Sequence, residues 1–244
     1  MLRRACALGL TGLAVACAGE PPIPEAGRTK MRADLSERVS ALTQAIAETP
    51  GVVALYSRRG DCRLFLGRFA EAIADFEKMI ALDPAQDDPH WRLGIAYYFA
   101  GQHAKSARQF EKYHSHDGGD RENGIWKFLG DVKVHGLERA RREMLVYTRF
   151  DREPFPALYE LLAGKKSTAE FLADLESRQL TANPRVMFFA NYYAGLHEEI
   201  LGHREQALAY LHAAVANPWG RTAEGGPAYM WQVARVHYDM LSTP

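Results

Sequence analysis

The chain has 244 residues, 47% of them hydrophobic and 25% charged, an ordinary globular composition with ample apolar material for a core. Lys plus Arg total 30 and Asp plus Glu total 30. There is thus no basic excess to attract nucleic-acid phosphates, and no run of like charge long enough to serve as an interaction tail.

Residues 1–16 read as a signal peptide. Arg3 and Arg4 form a short positive start, and Ala5 to Ala16 is an uncharged, mostly apolar run. As a helix that run reaches about 18 Å, short of the roughly 30 Å hydrocarbon core, so it suits a cleaved signal better than a membrane span. It ends in Leu13-Ala14-Val15-Ala16-Cys17, small residues before a cysteine that resemble the lipobox of bacterial lipoproteins. The resemblance implies cleavage before Cys17 and a diacylglycerol on its thiol. With Ala18 rather than Asp after the cysteine, it also implies an anchor in the outer membrane, facing the periplasm. Plain secretion after Ala14-Val15-Ala16 is the alternative. Cleavage at Cys17 would remove Cys6, Arg3 and Arg4, leaving a mature net charge of about −2. Cys62 would then be the one unmodified thiol, which rules out an internal disulfide and reads best as a small buried residue of a helix.

Residues 17–32 read as a linker. Glu20-Pro21-Pro22-Ile23-Pro24-Glu25-Ala26-Gly27 is rich in proline, and an extended, semi-rigid spacer is expected there. The helical domain is expected over 33–244. Asp34 and Glu37 have the spacing of an N-cap and its N3 partner. Leu35, Val39, Leu42 and Ile46 share a helix face, and Thr49-Pro50-Gly51 ends the element.

From Val53 onward a period of 34 residues emerges. It separates Gly60 from Gly94, Gly67 from Gly101, and Phe76 from Phe110. The first unit, about 53–86, carries Leu66-Gly67-Arg68-Phe69-Ala70-Glu71-Ala72-Ile73 and closes on Leu82-Asp83-Pro84. The second, about 87–120, has Ser106 where the first has Ala72, and His114-Ser115-His116-Asp117-Gly118-Gly119 at its end. A third, about 188–218, repeats the seven-residue separation at Gly195 and Gly202, with Ala207, Leu211 and Ala214 following. The interval between the second and third units suits two degenerate helical pairs. One spans Gly124 to Phe150, with Trp126, Leu129, Gly130, Ala140 and Met144 inward. The other spans Phe155 to Leu175, turning at Gly164-Lys165-Lys166, with Thr168 as a cap and Phe171, Leu172 and Leu175 inward. A last helix, about 228–241, would carry Tyr229, Val233, Val236 and Met240.

The period and these positions resemble the tetratricopeptide repeat (TPR). The resemblance implies an all-α, TPR-type α-solenoid of about five helical pairs, with an N-terminal helix and a C-terminal capping helix. It implies a non-enzymatic scaffold that binds other proteins, without a cofactor. In such proteins the inward positions of the first helix of each pair line a concave groove. Here those positions are Asp61, Leu64 and Phe65, then Trp91, Ile95, Tyr98 and Phe99, then Tyr192 and Leu196. Aromatic anchors in a groove suit protein docking; packing of several of them beneath the degenerate pairs is the alternative. Ser57 and Asp61 stand where a carboxylate clamp needs Asn and Lys. Together with the signal and lipobox, His90-Trp91-Arg92-Leu93-Gly94-Ile95-Ala96-Tyr97-Tyr98 and Ala213-Ala214-Val215-Ala216-Asn217 are similar to the new-lipoprotein-I type of envelope lipoprotein. That likeness implies an adaptor that gathers murein hydrolases and a processing protease.

No Gly-x-Ser-x-Gly elbow, Walker loop or His-Glu-x-x-His motif is present. His114, His116, Asp117 and Asp120 form the nearest approach to a metal-ligand set, and a polar inter-repeat loop is the simpler reading. Arg121-Glu122-Asn123 reads as a helix N-terminus, or as a recognition patch. A metal-dependent or other hydrolase in the degenerate middle region is the alternative to a scaffold.

Overall fold

The structure, a computed structural model, describes residues 21–243, so the signal segment and Cys17 lie outside the described residues. Thirteen α-helices follow one another, with no strand among the described residues. The first, α1, spans Glu25–Glu48. It begins earlier than expected: residues 25–32 are helical rather than extended, and Ile23 is buried in the main core. Asp34 is therefore interior to the helix, where Lys30 donates to it at 2.9 Å. Leu35, Val39 and Ile46 are buried, as their common face requires, and α1 packs on α2, which spans Val53–Phe65. Cys62 is buried between them, in one small cluster with Leu35 and Val39.

Helices α2 and α3 (Phe69–Leu82) form the first repeat, and α4 (Trp91–Phe99) and α5 (His103–His116) the second. A 3-10 turn at Pro84–Gln86 joins them. The third repeat is α10 (Pro184–Ile200) with α11 (Arg204–Ala216). One packing rule recurs in all three. A Cβ placed on Gly60 would lie 2.5 Å from the Phe76 ring, on Gly94 2.6 Å from the Phe110 ring, and on Gly195 2.9 Å from Leu211. Each pair is sixteen residues apart, so each glycine admits the large side chain that the partner helix presents. The turn glycines Gly67, Gly101 and Gly202 all have positive φ, 77°, 73° and 82°, the left-handed conformation that side chains disfavour. Ala72, Ser106 and Ala207 occupy equivalent crossing points, with 0% exposure each.

The middle departs from the expected pairs. Helix α6 (Arg121–His135) is regular, but α7 (Leu137–Arg142) has only six residues. The expected helix toward Phe150 is replaced by an irregular segment, 143–154. Its polar groups bond back to the start of α6, which satisfies backbone that a helix would otherwise pair. The second degenerate pair is present as α8 (Phe155–Leu162) and α9 (Thr168–Ser177), with Phe171 and Leu175 fully buried. Ser167, not Thr168, caps α9. Its hydroxyl and Glu170 form a reciprocal capping box, which frees the Thr168 hydroxyl to donate to Glu198.

After the short α12 (Pro218–Thr222), the last helix α13 (Gly226–Ser242) packs on α11 and returns to α2. The solenoid curls far enough that its two ends meet. Arg28 of α1 pairs with Asp239 of α13. The Arg235 Nη2 donates to the Phe65 carbonyl at 2.6 Å, and its Nη1 to Asp239 at 3.0 Å. No helix among the described residues is long and apolar enough to cross a membrane.

Candidate interaction site

Most of the expected groove residues are buried and do not line an open groove. Ile95, Tyr98, Phe99 and Tyr192 are 0%, 6%, 8% and 0% exposed. Leu64 and Leu196 are buried too. The physical reason is α13, which fills the concavity. Its His237 ring stands 5.4 Å from Phe99 and 6.3 Å from Tyr192, and its Tyr229 ring 4.9 Å from Phe65 and 4.8 Å from Trp91. His237 Nε2 also meets Glu199 at 2.7 Å. Asp61 is engaged by Arg92 at 2.7 Å, and Arg92 also donates to Ser57 at 3.0 Å. Burial pushes the Asp61 carboxyl up to about 6 despite that cation.

Of the expected set, Trp91 also lines a cavity. A cavity of about 450 Å³ lies between α4, α6, α10, α12 and the start of α13, with Trp91, Trp126, Phe189 and Trp219 among its walls. Its polar side is built on the N-terminus of α6. Asp120 caps that helix, accepting from the Glu122 amide at 3.0 Å, so Arg121-Glu122-Asn123 is a helix N-terminus; Glu122 and Asn123 also border the cavity. Arg152 reaches in from the irregular segment. It bonds Asp120 at 3.3 Å and Asp151 at 3.2 Å and pairs with Glu122, while its guanidinium lies over the Phe155 ring at 4.2 Å. The other Glu122 oxygen accepts from Tyr193 at 2.6 Å, and Tyr193 in turn accepts from the Trp126 indole at 3.1 Å. Burial raises the Glu122 carboxyl to about 7, against the opposing pull of Arg152. Burial raises Asp120 as well.

Segment 143–154 is held firmly yet displays two apolar side chains. Tyr147 donates to the Asp120 carbonyl at 3.1 Å, Asp151 accepts from the Arg121 amide at 3.0 Å, and Tyr159 donates to the Leu145 carbonyl at 2.9 Å. Gly124 makes the close approach possible, since a Cβ there would lie 2.5 Å from the Tyr147 hydroxyl. From this anchored base Val146 and Phe150 project outward, 82% and 76% exposed.

His114 and His116 fall in the last turn of α5, with Asp117 as its C-cap and Asp120 as the cap of α6. Among the described residues no group of three or more metal-ligating side chains comes together.

Residues 60–101 match the TPR repeat family model. The match begins at Gly60 in α2 and ends at the turn glycine Gly101 after α4, so it contains both halves of the 34-residue spacing. The chain is an all-α solenoid with TPR-type repeats.

Arg152, Tyr193 and Phe150 were not legible as site residues. Arg152 and Phe150 sit in a stretch without helical period, and Tyr193 is one aromatic among several on α10. The available signal was Asp151-Arg152-Glu153-Pro154, a charged run closed by proline that breaks the 34-residue period.

Proposed function

We propose that this chain is a non-enzymatic protein-interaction scaffold of the bacterial cell envelope, lipid-anchored through Cys17 on the outer membrane and facing the periplasm. TPR repeats support the general role. The observation that carries the docking site is the anchored segment 143–154 with its exposed Phe150. Twelve residues without regular structure are unusual in a compact fold unless they have work to do. An aromatic ring held outward on a rigid base loses little entropy on binding. The concave face is a poor docking site, being filled by α13. For the hydrolase alternative, Glu122 is the nearest acid–base candidate. Both its oxygens are already engaged, by Arg152 and Tyr193, which favours a structural role. Envelope partners such as murein hydrolases or a protease follow from the sequence likeness alone.

The test is a paired pull-down from detergent-solubilised envelopes, comparing wild type with Phe150→Ser/Val146→Ser. Both side chains are exposed, so the variant should keep its melting temperature and lose its principal partner by roughly 30-fold or more. Equal recovery by a folded variant would remove the site from this segment. Labelling with a palmitate analogue should tag wild type and not Cys17→Ser; equal labelling of both would remove the anchor.

A further inference from the structure

We propose that the cavity beside α13 is a second binding site, which Arg152 borders but the exposed Val146 and Phe150 do not, for a neutral, hydroxyl-rich ligand: a disaccharide. Its volume, about 450 Å³, lies in the range of small-ligand sites. Its walls are largely aromatic, with Trp91, Trp126, Phe189 and Trp219, and its polar side carries hydrogen-bonding groups: Asp120, Asn123 and Arg185. Sugars present this same combination, an apolar C–H face and a rim of hydroxyls.

Charge argues against an ionic ligand. Two acidic groups, Asp120 and Glu122, and two guanidiniums, Arg152 and Arg185, surround the cavity, so an anion or a cation would meet repulsion as well as attraction. The unused hydrogen-bonding capacity is of both kinds. Asp120 receives the Glu122 amide and Arg152 through Oδ1, which leaves Oδ2 to accept. Arg185 has a half-buried side chain and its backbone amide is bonded to Asn183, but its guanidinium has no protein partner among the described residues. It remains to donate. A hydroxyl donates to one and accepts from the other, so adjacent sugar hydroxyls satisfy both without a net charge. Leaving such groups dry and unpaired against an apolar ligand would oppose binding.

The purified mature chain would be titrated with cellobiose, maltose, lactose and N,N′-diacetylchitobiose. Tryptophan fluorescence and saturation-transfer NMR would be the readouts, with trialanine and inorganic phosphate as comparisons. We expect at least one disaccharide to bind saturably, shift the tryptophan emission and show contact on its ring protons. Arg185→Ala should weaken that binding about tenfold or more while leaving the melting temperature unchanged, since the guanidinium holds no other group. Trp219→Leu should weaken it independently. Phe150→Ser/Val146→Ser should leave it intact, which separates this site from the docking segment. The proposal is overturned if no disaccharide in the panel binds, if trialanine or phosphate binds in preference, or if Arg185→Ala binds as tightly as wild type.

Discussion

Gly94→Ala probes the packing rule on which the repeats are built. The added methyl would stand 2.6, 2.8 and 3.0 Å from three carbons of the Phe110 ring, where carbon contacts normally settle at about 3.5–4.0 Å. The ring has little room to retreat: Phe110 is 0% exposed and stacks on Trp126 at 6.0 Å with planes 17° apart. Overpacking of this kind costs about 1–3 kcal/mol. Alanine recovers about 1 kcal/mol of that through its better helix propensity. The net expectation is a loss centred on about 1 kcal/mol, or about 2–4 °C in melting temperature for a chain of this length, read by circular dichroism at 222 nm. The cycle with Phe110→Leu makes the reasoning specific. In that background the clash is gone, and Gly94→Ala should be neutral or stabilising, with a coupling of at least about 0.5 kcal/mol. An unchanged or raised melting temperature for Gly94→Ala alone would refute the close-approach argument, as would an equal loss in both backgrounds.

Tyr98→Ala, at a buried position that the repeat register assigns to the groove, should open a core cavity and lower stability by about 3–5 kcal/mol, seen as a large drop in melting temperature. Gly101→Ala meets no steric neighbour, but φ is +73°; a cost of about 1–2 kcal/mol is expected from the left-handed backbone alone, and no cost in a chemical melt would count against that conformation. Glu122→Gln should flatten part of the pH dependence of stability. Because burial raises the folded carboxyl to about 7 from its ordinary 4.5, its contribution is fully present below about 4.5 and is lost as pH rises through about 7. Stability measured from pH 5 to 8 should therefore fall more steeply in wild type than in the variant, by up to about 3 kcal/mol. Burial lowers His90 to about 4, and its Nδ1 accepts the Leu93 amide at 3.2 Å to cap α4. Stability should fall as pH drops from about 6.5 toward 4, and His90→Asn should remove that fall while keeping a cap.

The repeats were legible because their rules are local. A glycine, a turn glycine seven residues later and a bulky residue at sixteen fix a helical pair with contacts close in sequence, as at Gly60, Gly67 and Phe76. The placement of Ile95, Tyr98 and Tyr192 on the inward face of their helices was expected from the same register. Their burial was not, since it depends on how far successive pairs rotate before α13 returns. The Arg28–Asp239 and Arg235–Phe65 contacts join residues 211 and 170 apart, and no local pattern announces them. Capping signals misled by small steps: Asp34 and Glu37 had the right spacing inside a longer helix, and Ser167 outcompeted its neighbour Thr168. Segment 143–154 was missed because its order comes from side chains bonding to α6, which leaves no period to read.

The central claim is that α13 closes the concave face and that partners meet the chain at segment 143–154. Photo-crosslinking tests it most directly, with benzoylphenylalanine placed at Phe150 or at Trp91 in the full-length chain expressed in cells and the adducts identified by mass spectrometry. The account predicts a discrete protein adduct from position 150 and only intramolecular products, to α13, from position 91. A protein adduct from position 91 with none from position 150 would contradict it and return the docking site to an open concave groove.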